Sequence, residues 1–251
     1  MKKILILVAA STLLFACKKD KNKDKEYKSQ QTVMHGGKMW SSAKVDKDGK
    51  PQSVSIVLTD ALLNSVPVGQ PSDHVGHENN IIIPVSEKSG TPFKSIMVNW
   101  NSSGHEPDGV YTLPHFDFHF YTLTENEIMN LVDNTKLNSL PAAEYAPANY
   151  VSPGPGLPRM GNHWIDMTSP ELGGQVPFTQ TFIYGSYDGK MIFYEPMITL
   201  DFLKTNSNYE RSIPQPAKFQ SAGFYPTKMK IVRHDGVTEV VLTEFVQRQA
   251  S

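Results

Sequence analysis

Residues 114–121 read Pro-His-Phe-Asp-Phe-His-Phe-Tyr. Phe116, Phe118 and Phe120 alternate with His115, Asp117 and His119 at a period of two. Successive side chains of a β-strand point to opposite faces, so one face is all phenylalanine and the other His-Asp-His-Tyr. A helix would scatter the phenylalanines around its circumference, and a proline suits the first position of a strand. The apolar face explains burial in a core. The other face does not, because ionisable groups are costly to bury unless paired, hydrogen-bonded or metal-bound. His115 and His119 are roughly 13 Å apart at Cα on a flat strand. Both therefore reach one ion only if the strand curves or bulges.

Around this stretch lie short runs rich in Val, Ile, Phe, Tyr and Thr, punctuated by Asp48-Gly49, Asp108-Gly109, Asp188-Gly189 and Asp235-Gly236. That spacing predicts a mainly β domain over residues 32–251, a single β-barrel or barrel-like sandwich. Strands are expected at 37–45, 53–58, 81–85, 94–100 and 114–121. Residues 177–184 with 190–199, and 228–233 with 237–246, read as hairpins. One short covering helix is expected at 124–133, where Thr124 and Glu127 match a capping box ahead of Ile128, Leu131 and Val132. Residues 147–161 are rich in proline and glycine and form a loop. It delivers the chain to Asn162-His163-Trp164-Ile165-Asp166.

Upstream, Lys2 and Lys3 precede a short apolar run that closes on Leu14-Phe15-Ala16-Cys17. The run is too short to span a bilayer and has the order of a signal peptide. Its last four residues resemble the lipobox of bacterial lipoproteins. The resemblance implies removal of residues 1–16 and lipidation of Cys17, whose acyl chains tie the protein to a membrane. Residues 17–31 then read as a charged flexible tether without apolar periodicity. Cys17 is the only cysteine, so no intramolecular disulfide forms. The expected location is the bacterial cell envelope, exported and lipid-anchored, at the periplasmic face or cell surface. Export and a net charge of −1 argue against a nucleic-acid partner.

All eight histidines lie beyond the signal segment. His35 and His234 sit beside turns and read as surface groups. His74 and His77 fall in a polar loop, and flexible loops make poor primary sites. The stronger group is His115, His119, His163 and Glu195, expected as metal ligands, with Asp117, His105 and Asp166 as supporting or alternative ligands. Glu195 follows Met191-Ile192-Phe193-Tyr194, an aromatic strand on which a carboxylate needs a partner. Imidazole and carboxylate donors suit a divalent transition metal: Zn, Fe, Mn, Ni or Cu. The competing expectation is a non-catalytic, homo-oligomeric barrel in which the same groups form a metal-free polar network. There is no G-x-S-x-G elbow, H-E-x-x-H or C-x-x-C, so no reaction is assigned.

The blocks PHFDFHFY (114–121), MGNHWID (160–166) and TFIYGSYDGKMIFYEPMIT (181–199) resemble the signature blocks of an uncharacterised bacterial family of β-barrel proteins, known only as a domain of unknown function. The resemblance implies a barrel-like fold and a homo-oligomer, and supplies no reaction or ligand. A weaker likeness is to cupins, small barrels in which His and Glu hold a metal. The cupin His-x-His pair is absent here.

Overall fold

A computed structural model describes residues 23–69 and 80–251. The signal segment, Cys17, His74 and His77 lie outside the described residues. Strand makes up 46% of the described residues and helix 12%, so the domain is mainly β. It is a sandwich of two seven-stranded antiparallel sheets and not a closed barrel.

The first sheet runs β1 (Lys25–Lys28), β3 (Gly37–Val45), β4 (Pro51–Thr59), β14 (Val237–Arg248), β13 (Gly223–His234) and β12 (Asn208–Ser212), with β2 (Thr32–Met34) paired onto β3. The second runs β5 (Ile81–Pro84), β6 (Ser95–Asn101), β7 (His115–Tyr121), β11 (Lys190–Thr199), β10 (Gln180–Tyr187), β9 (Asn162–Asp166) and β8 (Tyr150–Val151). Two short helices flank the second sheet in the chain, α1 (Asp60–Ser65) before it and α4 (Leu200–Thr205) after it. Each follows a strand-ending threonine. Thr59 Oγ1 accepts from Leu62 N and Thr199 Oγ1 from Phe202 N, satisfying a free N–H of the first turn. Leu62, Leu63 and Leu203 are buried in consequence. Among the described residues the edge strands of the two sheets do not pair with each other, so the sheets do not close into a barrel.

Phe116, Phe118 and Phe120 point into the sandwich, fully buried among Ile56, Leu58, Leu242 and Trp100. The His-Asp-His face of β7 therefore points away from the central core. It does not meet water, for β7 is buried along its whole length. Intervening segments cover this outer face. Ile128 and Leu131 pack over Met97, Tyr121 and Phe193, while Tyr111 and Phe178 pack over Ile183 and Met197. The polar groups thus share a covered sheet face with two apolar clusters.

Both hairpin turns form as expected. Asp188-Gly189 and Asp235-Gly236 have positive φ at each position (51° and 71°, 47° and 78°), the backbone of a two-residue type I′ turn. Other expectations are corrected. The single covering helix expected at 124–133 ends early, as α2 (Glu125–Met129), and a separate short helix, α3 (Asn134–Leu137), begins just beyond the expected span. The Thr124–Glu127 capping box is present, but Asn130 Nδ2 turns back to Asn126 O, and Asp133 Oδ1 caps a new start at Thr135 N and Lys136 N. The charged tether does not extend to Gln31 either, because residues 25–28 pair with β3. Side chains there are mostly exposed and charged, which an edge strand tolerates since only its backbone must pair.

Candidate functional site

Two groups of donors assemble on the outer face of the second sheet. The first joins β7, β11 and β9. The register that sets Tyr194 opposite Phe120 brings Glu195 of β11 beside His119 of β7. His163 comes from β9, with β10 lying between, and pairs there with Gly185. A Cβ at Gly185 would stand 1.9 Å from Phe193 Cε1, so only glycine lets the Phe193 ring lie across β10. That ring is 4.8 Å from the His119 ring and 5.4 Å from His163, and Tyr121 stacks on His119 at 5.8 Å. Within this aromatic surround His119 Nε2 is 3.3 Å from Glu195 Oε1, and His163 Nε2 is 3.7 Å from Oε2.

Burial governs the charges. It pushes the Glu195 carboxyl well above the usual carboxylate range, and the Asp117 charge adds to the push. Burial, with the neighbouring His163, lowers His119 to about 3, and burial with His105 lowers His163 to about 4. Burial therefore favours the neutral form of all three groups. Glu195 Oε2 and both ring nitrogens of His119 lack a well-formed hydrogen bond, although the Met97 backbone lies close enough to His119 to favour its charged form slightly.

The second group is His105, His115 and Asp117, whose donor atoms lie within 4.8 Å of one another, as do those of the first group. Burial alone would raise Asp117. The neighbouring His115 and His105 imidazoles outweigh it and hold the carboxyl well below its ordinary value. In return, and against its own burial, His105 is raised by Asp117. Asn101 Nδ2 donates to Asp117 Oδ2 at 2.7 Å.

The expected ligand set is therefore divided. His119, His163 and Glu195 come together, but His115 joins His105 and Asp117, because an extended strand does not fold two positions four apart onto one point. Asp166 joins neither group. Its Oδ1 accepts from Thr168 N and Oγ1, and the residue lines a polar cleft of about 240 Å³ with Glu171 and Arg211. His35 and His234 are exposed, as their turns suggested. The parts played by Asn101 and Phe193 leave no mark in the sequence. Gly185 is the one available signal, since a glycine inside a strand marks a bulge or a close approach, here the register shift at Gly185/Ser186 and the Phe193 ring.

A cleft of about 330 Å³ beside Tyr145, Tyr184, Phe219 and Tyr225 contains none of these histidines or carboxylates. An aromatic cleft needs no special account, whereas clustered buried donors do. No family model, curated protein or solved structure matches the chain. Function is read from the donor chemistry.

Proposed function

We propose that this protein binds a divalent transition metal through His119, His163 and Glu195, and does so as an exported, lipid-anchored protein of the bacterial envelope. The observation that carries the metal reading is the convergence of three donors from three strands, where His119 Nε2 and Glu195 Oε2 are buried without a hydrogen bond. Ligands at about 2.0–2.1 Å in tetrahedral geometry lie roughly 3.3 Å apart. His119 Nε2 stands at that spacing from Glu195 Oε1, at 3.3 Å, and His163 Nε2 is 3.7 Å from the other carboxylate oxygen. Three protein ligands leave a fourth position for water or a small molecule, the pattern of a site where the metal can act as a Lewis acid. Each of the three sequence blocks that carry the family resemblance contributes one ligand.

The anchor reading rests on the order of positive, apolar and small residues before Cys17. With β1 beginning at Lys25, the tether in this reading comprises residues 17–24.

A competing reading is a metal-free polar network in a non-catalytic oligomeric protein. It is favoured by one observation: burial already drives Glu195 toward its protonated form and both imidazoles toward neutrality, leaving no buried net charge. Elemental analysis of the purified protein separates the two. At least one ion per chain is expected, lost from the first site in His119→Ala and His163→Ala and retained in His35→Ala. A wild-type protein that carries no metal and takes up no Zn²⁺ rejects the proposal.

A further inference from the structure

The outer face of β7 carries donors that the first site leaves unused. Asp117 lies between two imidazoles, with His115 Nε2 3.2 Å from Oδ1 and His105 Nε2 3.5 Å from Oδ2. His115 is fully buried and Asp117 is 6% exposed.

What sets this cluster apart from an ordinary ion-paired aspartate is the far side of each ring. His115 Nδ1 is 2.7 Å from the Leu113 carbonyl oxygen, and His105 Nδ1 is 2.6 Å from that of Glu106. A carbonyl oxygen only accepts, so each Nδ1 carries a proton. With both rings neutral each Nε2 is a lone pair facing a carboxylate, and lone pair repels lone pair. With His105 alone protonated it pairs with Asp117 Oδ2, but His115 Nε2 and Asp117 Oδ1 still face each other without a hydrogen bond. Protonating both rings places two imidazolium charges around one carboxylate, a net positive charge that is costly to bury. It also fails on direction. His115 Nε2 and Asp117 Oδ1 are 3.2 Å apart, yet neither makes a hydrogen bond.

A cation among the three lone pairs removes the repulsion. Metal-bound imidazoles usually donate their other N–H to a carbonyl or carboxylate, as both rings do here. The amide of Asn101 orients Asp117 in the same manner. We propose that His105, His115 and Asp117 form a second divalent transition-metal site, independent of His119, His163 and Glu195. Asp117 and His119 are about 6.6 Å apart at Cα on one strand face. The Asp117 oxygens are directed to His115, His105 and Asn101 and not toward His119. The sites are therefore separate ions and not a bridged pair. His105, with its side chain 27% exposed, gives this second site its opening to solvent.

The test is Zn²⁺ stoichiometry on the full-length protein, stripped with a chelator and titrated in competition with a chromophoric chelator. Two ions per chain are expected for wild type, one for His105→Ala, one for Asp117→Asn, one for His163→Ala and none for the His105→Ala/His163→Ala double variant. Circular dichroism checks that each variant retains its strand signal. Should Asp117→Asn fail to fold, the partly exposed His105 position still decides. A wild-type protein that binds one ion, kept in His105→Ala and lost in His163→Ala, overturns this second site and spares the first. One ion lost in His105→Ala and kept in His163→Ala does the reverse. No Zn²⁺ bound by wild type overturns both.

Discussion

Glu195 is the residue at which metal-bound and metal-free forms of the first site part. Burial raises its carboxyl well above the usual range, so the folded metal-free protein holds a proton that the unfolded chain releases near 4.5. Stability is therefore lost as pH rises from 4.5 toward the raised value. Each unit of that shift corresponds to about 1.4 kcal/mol when the group is ionised. His119 and His163 act in the opposite direction. Their folded values of about 3 and about 4 lie below the ordinary 6.5, so their contribution is present above 6.5 and is lost as pH falls toward those values. A bound cation compensates the Glu195 charge, whereas an amide in its place is a poor ligand. In EDTA at neutral pH, Glu195→Gln should melt above wild type; in excess Zn²⁺ the order should reverse. An equal Zn²⁺-induced shift in both proteins would remove Glu195 from the site.

At the scale of elements, the first site depends on a strand that supplies no ligand. β10 separates His163 from Glu195, and Gly185 makes it low enough for the Phe193 ring to cross. Gly185→Ala puts a methyl group into that ring, an overpacking worth about 1–3 kcal/mol. The expected result is a lower melting temperature and weaker Zn²⁺ binding at His119–His163–Glu195, with the His105–His115–Asp117 ion retained. Unchanged affinity at the first site would show that Phe193 does not set its geometry. In the sequence β9 reads only as the end of a proline-rich loop, since Asn162-His163-Trp164-Ile165-Asp166 offers only five residues of weak alternation. Its strand character comes from pairing with β10.

At the scale of the molecule, the two sheets divide the chain unequally. The N-terminal and C-terminal strands share the first sheet, and residues 81–199 supply the second. Both donor groups therefore lie within the middle of the chain, on the far side of the second sheet from the first. The described strands start at Lys25, beyond the position read as the lipid anchor. In a bacterial host, wild type should take up labelled fatty acid and sediment with membranes, as expected of a diacylated chain. Cys17→Ala should remain an unlabelled precursor, and labelled Cys17→Ala protein would refute the anchor assignment.

The alternation in 114–121 determined by itself that β7 is a strand and that its phenylalanines share one buried face, because side-chain direction along a strand follows from the backbone alone. The Asp-Gly turns and the Thr124–Glu127 capping box were legible for the same reason: each is a device of four residues or fewer. Sheet closure was not legible, since alternation is identical in a barrel and a sandwich. Nor was the partnership of the donors. His115 and His119 look like companions along the chain, yet an extended strand keeps them roughly 13 Å apart. His119 finds Glu195 and His163 only through the order β7, β11, β10, β9, and His115 finds His105 only because the segment between β6 and β7 folds back over the sheet. Face and turn are local properties of the backbone; which faces meet is a property of strand order, and that was decided by the tertiary structure.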